Sequence, residues 1–192
     1  MNRKIVTLMV VVALLVTSGR FALAQSQVGT LEITGVPTDV AAGRYDREAG
    51  VFSADVREIG GALITVKLED VEITGKTMEW RTDDNYLFFT VDARLTQDDF
   101  ELTADQVEYF GDDKNLKAEG RVVVTTEDAT VYADHLDYDE ETDEALFTGN
   151  VRVVFSDGVL EGERFLMLLE KSELQFFGSF QGEFTDEENG EQ

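Results

Sequence analysis

The residues of this 192-residue chain whose types could support catalysis are one histidine and 40 acidic residues. His135 lies between Asp134 and Leu136, and the residue 29 positions earlier, in the equivalent place of an internal repeat, is Gln106. We therefore expect His135 to be a polar surface residue and not a base or a metal ligand. Two placed carboxylates could hydrolyse a glycan, but among so many acids no spacing singles out a pair. Since no nucleophile elbow, phosphate-binding loop or zinc-protease motif occurs, the sequence predicts no catalytic residue.

Four acidic residues at alternate positions from Asp137 to Asp143 resemble the start of a calcium-binding loop. Such a loop needs glycine at its sixth position and glutamate at its twelfth. These positions hold Thr142 and Thr148. The sequence therefore predicts a solvated acidic turn, with no metal site and no other cofactor.

Three basic residues, Lys114, Lys117 and Arg121, lie close together in the sequence. Arginine and lysine bind phosphate through charge-assisted hydrogen bonds, so this group could meet a lipid phosphate. Asp112 and Glu119 lie among them. We expect a solvated surface of mixed charge, and phosphate binding is the alternative.

The balance of charge limits the partners of the chain, because 40 acidic residues stand against 16 basic ones and the formal net charge is −24. A strong negative field repels nucleic acid, so no nucleic-acid partner is expected. The field either provides solubility or attracts a basic partner or divalent cations. The chain has no cysteine, which excludes disulfides and thiolate metal sites.

Residues 1–24 have the pattern of a secretory signal peptide. Two basic residues, Arg3 and Lys4, precede an apolar stretch over residues 5–16, and an A-x-A cleavage site ends at Ala24. The stretch is shorter than the ~20 residues that a spanning helix needs. We expect cleavage and export, and an uncleaved N-terminal anchor is the alternative.

The mature chain is expected to contain one domain and a short tail. Residues 25–184 are long enough for a single domain with a sizeable core. Residues 185–192 contain no apolar side chain and are expected to form a disordered acidic tail.

An internal repeat with a period of 29 residues runs through most of the domain. Residues 102–130 align without a gap on residues 131–159, so that Gly120 falls on Gly149. A further unit begins at Leu160. The unit before residue 102 also fits, but it has valine at position 91 where the others have glycine. Residues 31–72 fit the period poorly, and we interpret them as an irregular first unit with an insertion around residues 41–50.

Within each unit the apolar residues alternate with a period of two, which predicts β-strands. The alternation skips one position at Asp105 and again at Asp134. Such a skip indicates a bulge or corner at which the strand bends. Gly120 and Gly149, inside the following strands, indicate a second sharp bend. Because one unit cannot bury its inner face alone, stacked units must share a core. We therefore predict an all-β, elongated β-jellyroll or solenoid-like stack of antiparallel strands.

The repeated residues resemble a known family, the periplasmic lipopolysaccharide-transport proteins called LptA or OstA-like. The family pattern is A-D-x-x-x-Y followed, about ten residues later, by G-N-V. Ala133-Asp134 with Tyr138, and then Gly149-Asn150-Val151, match this pattern. The resemblance implies a β-jellyroll with an apolar groove for lipid A acyl chains. It also implies a periplasmic protein that contributes to outer-membrane biogenesis. Such a protein forms a bridge with an inner-membrane LptC-like adaptor and an outer-membrane LptD-like translocon.

The inward-facing residues that the repeat predicts are large and apolar, as a groove for acyl chains requires. Burying each methylene contributes about 0.8 kcal/mol. The alternative is that these side chains form a closed core. The predicted lipid-binding interior consists of Trp80, Phe89, Val107, Tyr109, Val122, Leu136, Tyr138, Phe147, Val151, Phe165, Met167, Phe176 and Phe180.

The sequence leaves three functions open. The first is a lipopolysaccharide-binding transport protein of the bridge type, with a membrane-anchored LptC-like adaptor as its variant. The second is a structural β-repeat protein that does not bind lipid. The third is an acidic glycan hydrolase. Because both ends of a strand stack expose edges, head-to-tail self-association is also expected.

Overall fold

Every regular element in the described part of the chain is a β-strand. The structure is a computed structural model that describes residues 31–35, 41–68, 71–169, 171 and 173–185. Within these residues no helix has the length and apolar character needed to cross a membrane. The strands are β1 Glu32–Thr34, β2 Gly43–Asp46, β3 Val51–Asp55, β4 Ile64–Leu68, β5 Val71–Gly75, β6 Thr77–Arg81, β7 Tyr86–Gln97, β8 Phe100–Phe110, β9 Asn115–Thr125, β10 Ala129–Asp139, β11 Glu144–Phe155, β12 Gly158–Leu168 and β13 Glu173–Phe184.

The strands pair into one antiparallel sheet, in which β7 to β13 follow one another in sequence order. Buried and exposed residues alternate along β9 and β10, as expected for strands with one face in the core. Short turns rich in acidic residues connect neighbouring strands and make sequential antiparallel pairing possible. The predicted all-β jellyroll is confirmed.

Each long strand bends once near its middle. The pairing register shifts at this point in every neighbouring pair from β7–β8 to β12–β13. The skips predicted at Asp105 and Asp134 fall within these shifts. Gly120 and Gly149 lie opposite them with φ angles of +74° and +77°, a left-handed conformation that glycine adopts without strain. The sequence therefore predicted the corners correctly.

The corners fold the sheet into two layers. We call the layer that contains residues 86–90 of β7 the front layer, and the layer that contains residues 93–97 the back layer. At β7 the sheet divides toward the N-terminus. The front part of β7 pairs with β6, which continues to β3 and β2, and the back part pairs with β5, which continues to β4 and β1.

The N-terminal region continues the same architecture. β5 and β6 form one bent strand with its corner at Gly75 and Lys76, because β5 lies in the back layer and β6 in the front layer. Around the interpreted insertion, β2 and β3 form a regular antiparallel hairpin. Through β3, which pairs with β6, this hairpin extends the front layer. The predicted signal peptide, residues 1–24, lies outside the described residues, as do residues 186–192 of the predicted tail.

The hairpin turns form two rows at the free edges of the layers. Front-layer turns include residues 111–114 and 140–143, and back-layer turns include residues 126–128 and 156–157. Because the layers are joined through the corners and share one core, both rows of turns lie at the edge of the stack away from the corners. We call this edge the seam.

The core lies between the two layers and is continuous along the stack. Its inward side chains in the central strands are 0–8% exposed. Phe165 is fully buried, and its ring occupies the space beside Gly162, where an added Cβ would lie 3.1 Å from the ring Cζ. The inward apolar positions that recur in each repeat unit are therefore the ones whose side chains hold the two layers together.

Candidate functional site

A continuous row of apolar side chains crosses the inner face of the front layer. Strand pairing places Phe89 opposite Val107 and continues to the last strand at Phe176. Seven strands contribute one residue each, and six interstrand spacings of about 4.8 Å give the row a length of about 29 Å. The complete row is Phe89, Val107, Ala118, Leu136, Phe147, Phe165 and Phe176.

All thirteen residues predicted for the interior face the space between the layers or its open ends, but their burial differs. Trp80, Met167 and Phe176 are half-buried and pack against the core. Phe180 lies opposite Gly162 on the inner face of the terminal strand and is 59% exposed. The buried members are Phe89, Val107, Tyr109, Val122, Leu136, Tyr138, Phe147, Val151 and Phe165.

The C-terminal end of the interior is open and aromatic. Phe176 meets Phe165 edge to face, with ring centroids 4.9 Å apart, and stacks on Phe180 at the same centroid distance. Phe184, 54% exposed, stacks on Phe155 at 6.3 Å. The last strand thus presents apolar rings that no further strand covers among the described residues.

Two of these aromatic residues, Phe155 and Phe184, were not among the predicted interior residues. They are 29 residues apart, so the repeat carries a signal that could have identified them. Both lie on the inner face of the back layer next to the seam, Phe155 at the end of β11 and Phe184 at the end of β13, where it pairs with Gly158 of the intervening strand β12. They extend the open aromatic end from the front layer to the back layer.

Two inward tyrosines bring polar groups to the seam. The Tyr138 hydroxyl donates a hydrogen bond to Asp143 Oδ1 at 3.0 Å. Burial, followed by the charge of Asp143, raises the pKa of Tyr138 well above its usual range. Burial and the charge of Glu140 raise the pKa of Tyr109 in the same way, so both phenols remain neutral hydrogen-bonding groups at neutral pH.

The charged residues that the sequence brought together are separated in the structure. Lys114 pairs with Glu141 at 3.7 Å in neighbouring turns, Lys117 pairs with Asp137 at 3.6 Å on the outer front face, and Arg121 pairs with Asp105 at a corner. They form no joint phosphate site. This finding agrees with the expected surface of mixed charge.

The acidic turn is held by its own hydrogen bonds, and the histidine lies on the surface. Asp139 accepts hydrogen bonds from the backbone N–H groups of Glu141 and Thr142, at 2.8 and 3.1 Å, and this stabilises the turn. His135 is exposed on the outer face. Among the described residues no cluster of three or more histidine, cysteine or acidic side chains could hold a metal ion.

Comparison with known proteins identifies a similar family. Residues 72–173 match the sequence profile described as LptA/(LptD N-terminal domain) LPS transport protein. A similar solved structure is that of LptH from Pseudomonas aeruginosa, described as the LptA homologous periplasmic component of the conserved lipopolysaccharide transport device. The similarity has 10% identity and a TM-score of 0.35, and it covers 82% of this chain and 96% of that chain. No curated protein matches this sequence significantly.

Proposed function

The chain belongs to the LptA and LptD N-terminal domain family of lipopolysaccharide transport proteins, and we propose that it carries lipopolysaccharide through the periplasm by binding its acyl chains between the two layers. Members of this family are transport proteins and not enzymes. The proposed cycle therefore has no covalent step. The cargo binds by burial of its acyl chains and is released unchanged.

The observation that supports this proposal is the apolar row from Phe89 to Phe176 with its open aromatic end. A row about 29 Å long offers an acyl chain continuous apolar contact and no directional partner that would stop it. Each buried methylene contributes about 0.8 kcal/mol. Because the side chains of the central strands already pack against one another, the layers must separate when lipid binds, and the lipid replaces the contacts that are lost.

The strand edges support assembly into a bridge. β13 pairs with β12 along one side, and its other side has no strand partner among the described residues. At the opposite end of the stack the edges are β1 and β2, one in each layer. Since β13 also runs through both layers, one copy could extend the sheet of another by β-augmentation. Such a heterologous contact need not close into a ring, and it suits both self-association and binding to an LptC-like adaptor or an LptD-like translocon.

Site-specific photocrosslinking tests lipid binding. A photoreactive phenylalanine analogue is placed at Phe147, inside the core, and in a second protein at Glu127, on an exposed turn. A sharper pair is Phe176 and Phe177, because they are adjacent aromatic residues whose side chains face opposite sides of β13. We expect lipopolysaccharide to be captured at Phe147 and Phe176 and not at Glu127 or Phe177. Capture at none of the four positions in a folded protein would contradict lipid binding.

The close packing of the central strands favours one alternative, a structural β-repeat protein without lipid binding. In such a protein the side chains that are 0–8% exposed form a permanent core. The same crosslinking distinguishes the two functions, because a permanent core leaves the inner positions unreactive toward lipid. A membrane-anchored LptC-like adaptor binds lipid in the same way, and it differs in keeping residues 1–24.

A further inference from the structure

The seam contains most of the buried side-chain atoms that lack a hydrogen-bond partner among the described residues. Among the described side chains, five buried nitrogen or oxygen atoms have no hydrogen-bond partner. Four of the five are oxygens at the seam: Tyr109 Oη and Glu140 Oε2 at the front-layer edge, and Asp128 Oδ2 and Asp157 Oδ1 at the back-layer edge. A buried polar atom without a partner costs free energy, so such a group calls for a physical explanation.

Tyr109 gives the most specific indication. Its side chain is only 6% exposed, yet its hydroxyl has no partner, while the equivalent hydroxyl one repeat later, that of Tyr138, is bonded to Asp143. The carboxylate of Glu140 lies close enough to influence the Tyr109 phenol electrostatically. Glu140 is itself half-buried, and burial raises the pKa of its carboxyl group. A hydroxyl and a carboxylate oxygen thus lie at the front-layer edge, both without partners.

The charge of the seam defines which ligands it can attract. The turns at residues 98–99, 111–114, 126–128, 140–143 and 156–157 contain ten acidic residues and one basic residue, Lys114. That lysine already pairs with Glu141. A phosphate would therefore meet like charge and no available cation in these turns. A group that donates hydrogen bonds without negative charge would find unpartnered acceptors in both rows of turns.

We propose that the seam binds the polar head of the cargo through its hydroxyl donors, and that it prefers an uncharged, hydroxyl-rich sugar head to a phosphorylated one. This inference rests on the proposed function, because the four oxygens become accessible when the layers separate to admit acyl chains. Tyr109 and Glu140 receive the head from the front layer, and Asp128 and Asp157 receive it from the back layer. Sugar hydroxyls donate to the carboxylates, and the Tyr109 hydroxyl donates to or accepts from the ring substituents.

Three single-chain amphiphiles with the same dodecyl chain test the proposal. They are dodecyl maltoside with a sugar head, dodecyl phosphate with an anionic head, and dodecanol with a minimal head. Dodecyl maltoside and dodecyl phosphate are titrated below their micelle concentrations, and dodecanol below its solubility limit, into the exported chain loaded with N-phenyl-1-naphthylamine, a probe that fluoresces in apolar surroundings. We expect the Kd of dodecyl maltoside to be at least fivefold lower than that of dodecyl phosphate, with or without magnesium.

Variants connect this preference to the seam. Tyr109→Phe and Glu140→Gln should each raise the Kd of dodecyl maltoside by about three- to tenfold, the range expected for losing one hydrogen bond, and should leave dodecanol binding unchanged. The matched control is Glu141→Gln, which removes the same charge from an exposed neighbour in the same turn. Thermal unfolding confirms that each variant is folded, and Tyr109→Phe removes a hydroxyl that has no structural partner.

The possible outcomes separate the two proposals. If none of the amphiphiles displaces the probe, lipid binding itself fails, and the head-group preference fails with it. If dodecanol binds but dodecyl phosphate binds as well as dodecyl maltoside, or if Tyr109→Phe has no effect, lipid binding stands and the head-group preference is wrong. Displacement by free maltose alone would assign the seam to a soluble sugar and overturn the lipid-head assignment.

Discussion

Asp134 accepts a hydrogen bond from Asn150 across a corner of the sheet, with Asn150 Nδ2 2.8 Å from Asp134 Oδ2. One repeat unit earlier, Asp105 accepts a hydrogen bond from Arg121 Nε at 2.9 Å. The residues of both pairs are 16 positions apart, and each donor follows a glycine with positive φ. The repeat therefore places the same contact at successive corners. The contact is an ion pair at Asp105 and a hydrogen bond between a carboxylate and an amide at Asp134.

The two corner contacts should respond differently to salt. We expect a double-mutant cycle on Asp134→Ala and Asn150→Ala to give a coupling of about 0.5–1 kcal/mol in the free energy of unfolding. This coupling should persist in 1 M salt. The coupling between Asp105 and Arg121 should largely disappear there, because both side chains are exposed and exposed ion pairs are screened. Equal salt dependence of the two couplings, measured by urea unfolding, would contradict this assignment.

Replacing Val91 with glycine should stabilise the protein. Val91 occupies the repeat position at which the other corners have glycine, and its φ of 61° is unfavourable for a β-branched residue. A left-handed conformation costs a non-glycine residue about 1–2 kcal/mol, and glycine loses about 0.5–1 kcal/mol through chain entropy. Because Val91 is 41% exposed, little apolar burial is lost. We expect a gain of about 0.5–1 kcal/mol, measured as a rise in Tm of about 1–4 °C.

The converse substitution at a neighbouring corner is the control for Val91. Gly149→Ala should destabilise the protein, because φ at Gly149 is +77° and an added Cβ would lie 2.8 Å from Asp134 Cβ. We expect a loss of about 1–3 kcal/mol. If both substitutions shifted Tm in the same direction, corner strain could not explain either result.

Two phenylalanines on the inner face should separate stability from lipid binding. Phe165→Ala should lower the free energy of unfolding by about 3–5 kcal/mol, since its ring is fully buried. Phe180→Ala should have a much smaller effect on unfolding, because its ring is 59% exposed, but it should reduce lipid crosslinking at Phe176, on which that ring stacks. The measurements are urea unfolding and crosslinking yield. Equal losses of stability would show that the C-terminal end is closed in solution.

The buried phenols predict a loss of stability at high pH. Burial and the neighbouring charge of Glu108 raise the pKa of Tyr86 to about 12, and the pKa values of Tyr109 and Tyr138 are also raised. A raised pKa gives stability that is complete below the unfolded value near 10 and is lost as pH rises toward the folded value. Each neutral phenol should steepen the decrease by about 1.4 kcal/mol per pH unit above pH 10.

Urea unfolding between pH 8 and 11.5 measures this slope. Tyr138→Phe and Tyr109→Phe should each make the decrease above pH 10 shallower. Tyr132→Phe, on the outer face, controls for the loss of a phenol from the unfolded chain. A slope that is the same in wild type and in both buried-site variants would contradict the burial of neutral phenols.

The sequence predicted the corners and the inward faces because both depend on local rules. A period of two assigns each side chain to a face, and glycine at Gly120 and Gly149 indicates left-handed backbone. At Val91 the residue type gives no such signal, and only the 29-residue repeat marks the corner there. The division of the sheet at β7 and the packing between the layers also could not be predicted. They depend on contacts between residues that are distant in the sequence, and the period does not determine the separation of the layers.

The C-terminal edge should control self-association. Phe180 and Phe184 are exposed apolar residues on the inner face of β13, next to a strand edge that has no partner among the described residues. A partner strand that extends the sheet would cover both rings, so Phe180→Glu with Phe184→Glu should place charge in that contact and shift the protein toward the monomer. We expect light scattering after size exclusion to show a mass that rises with wild-type concentration and stays constant in the double variant.

Phe177→Glu, on the outer face of the same strand, is the matched control and should associate like wild type. An identical rise in all three proteins would place the contact away from this edge, and a constant mass in wild type would show that the edge does not assemble by itself.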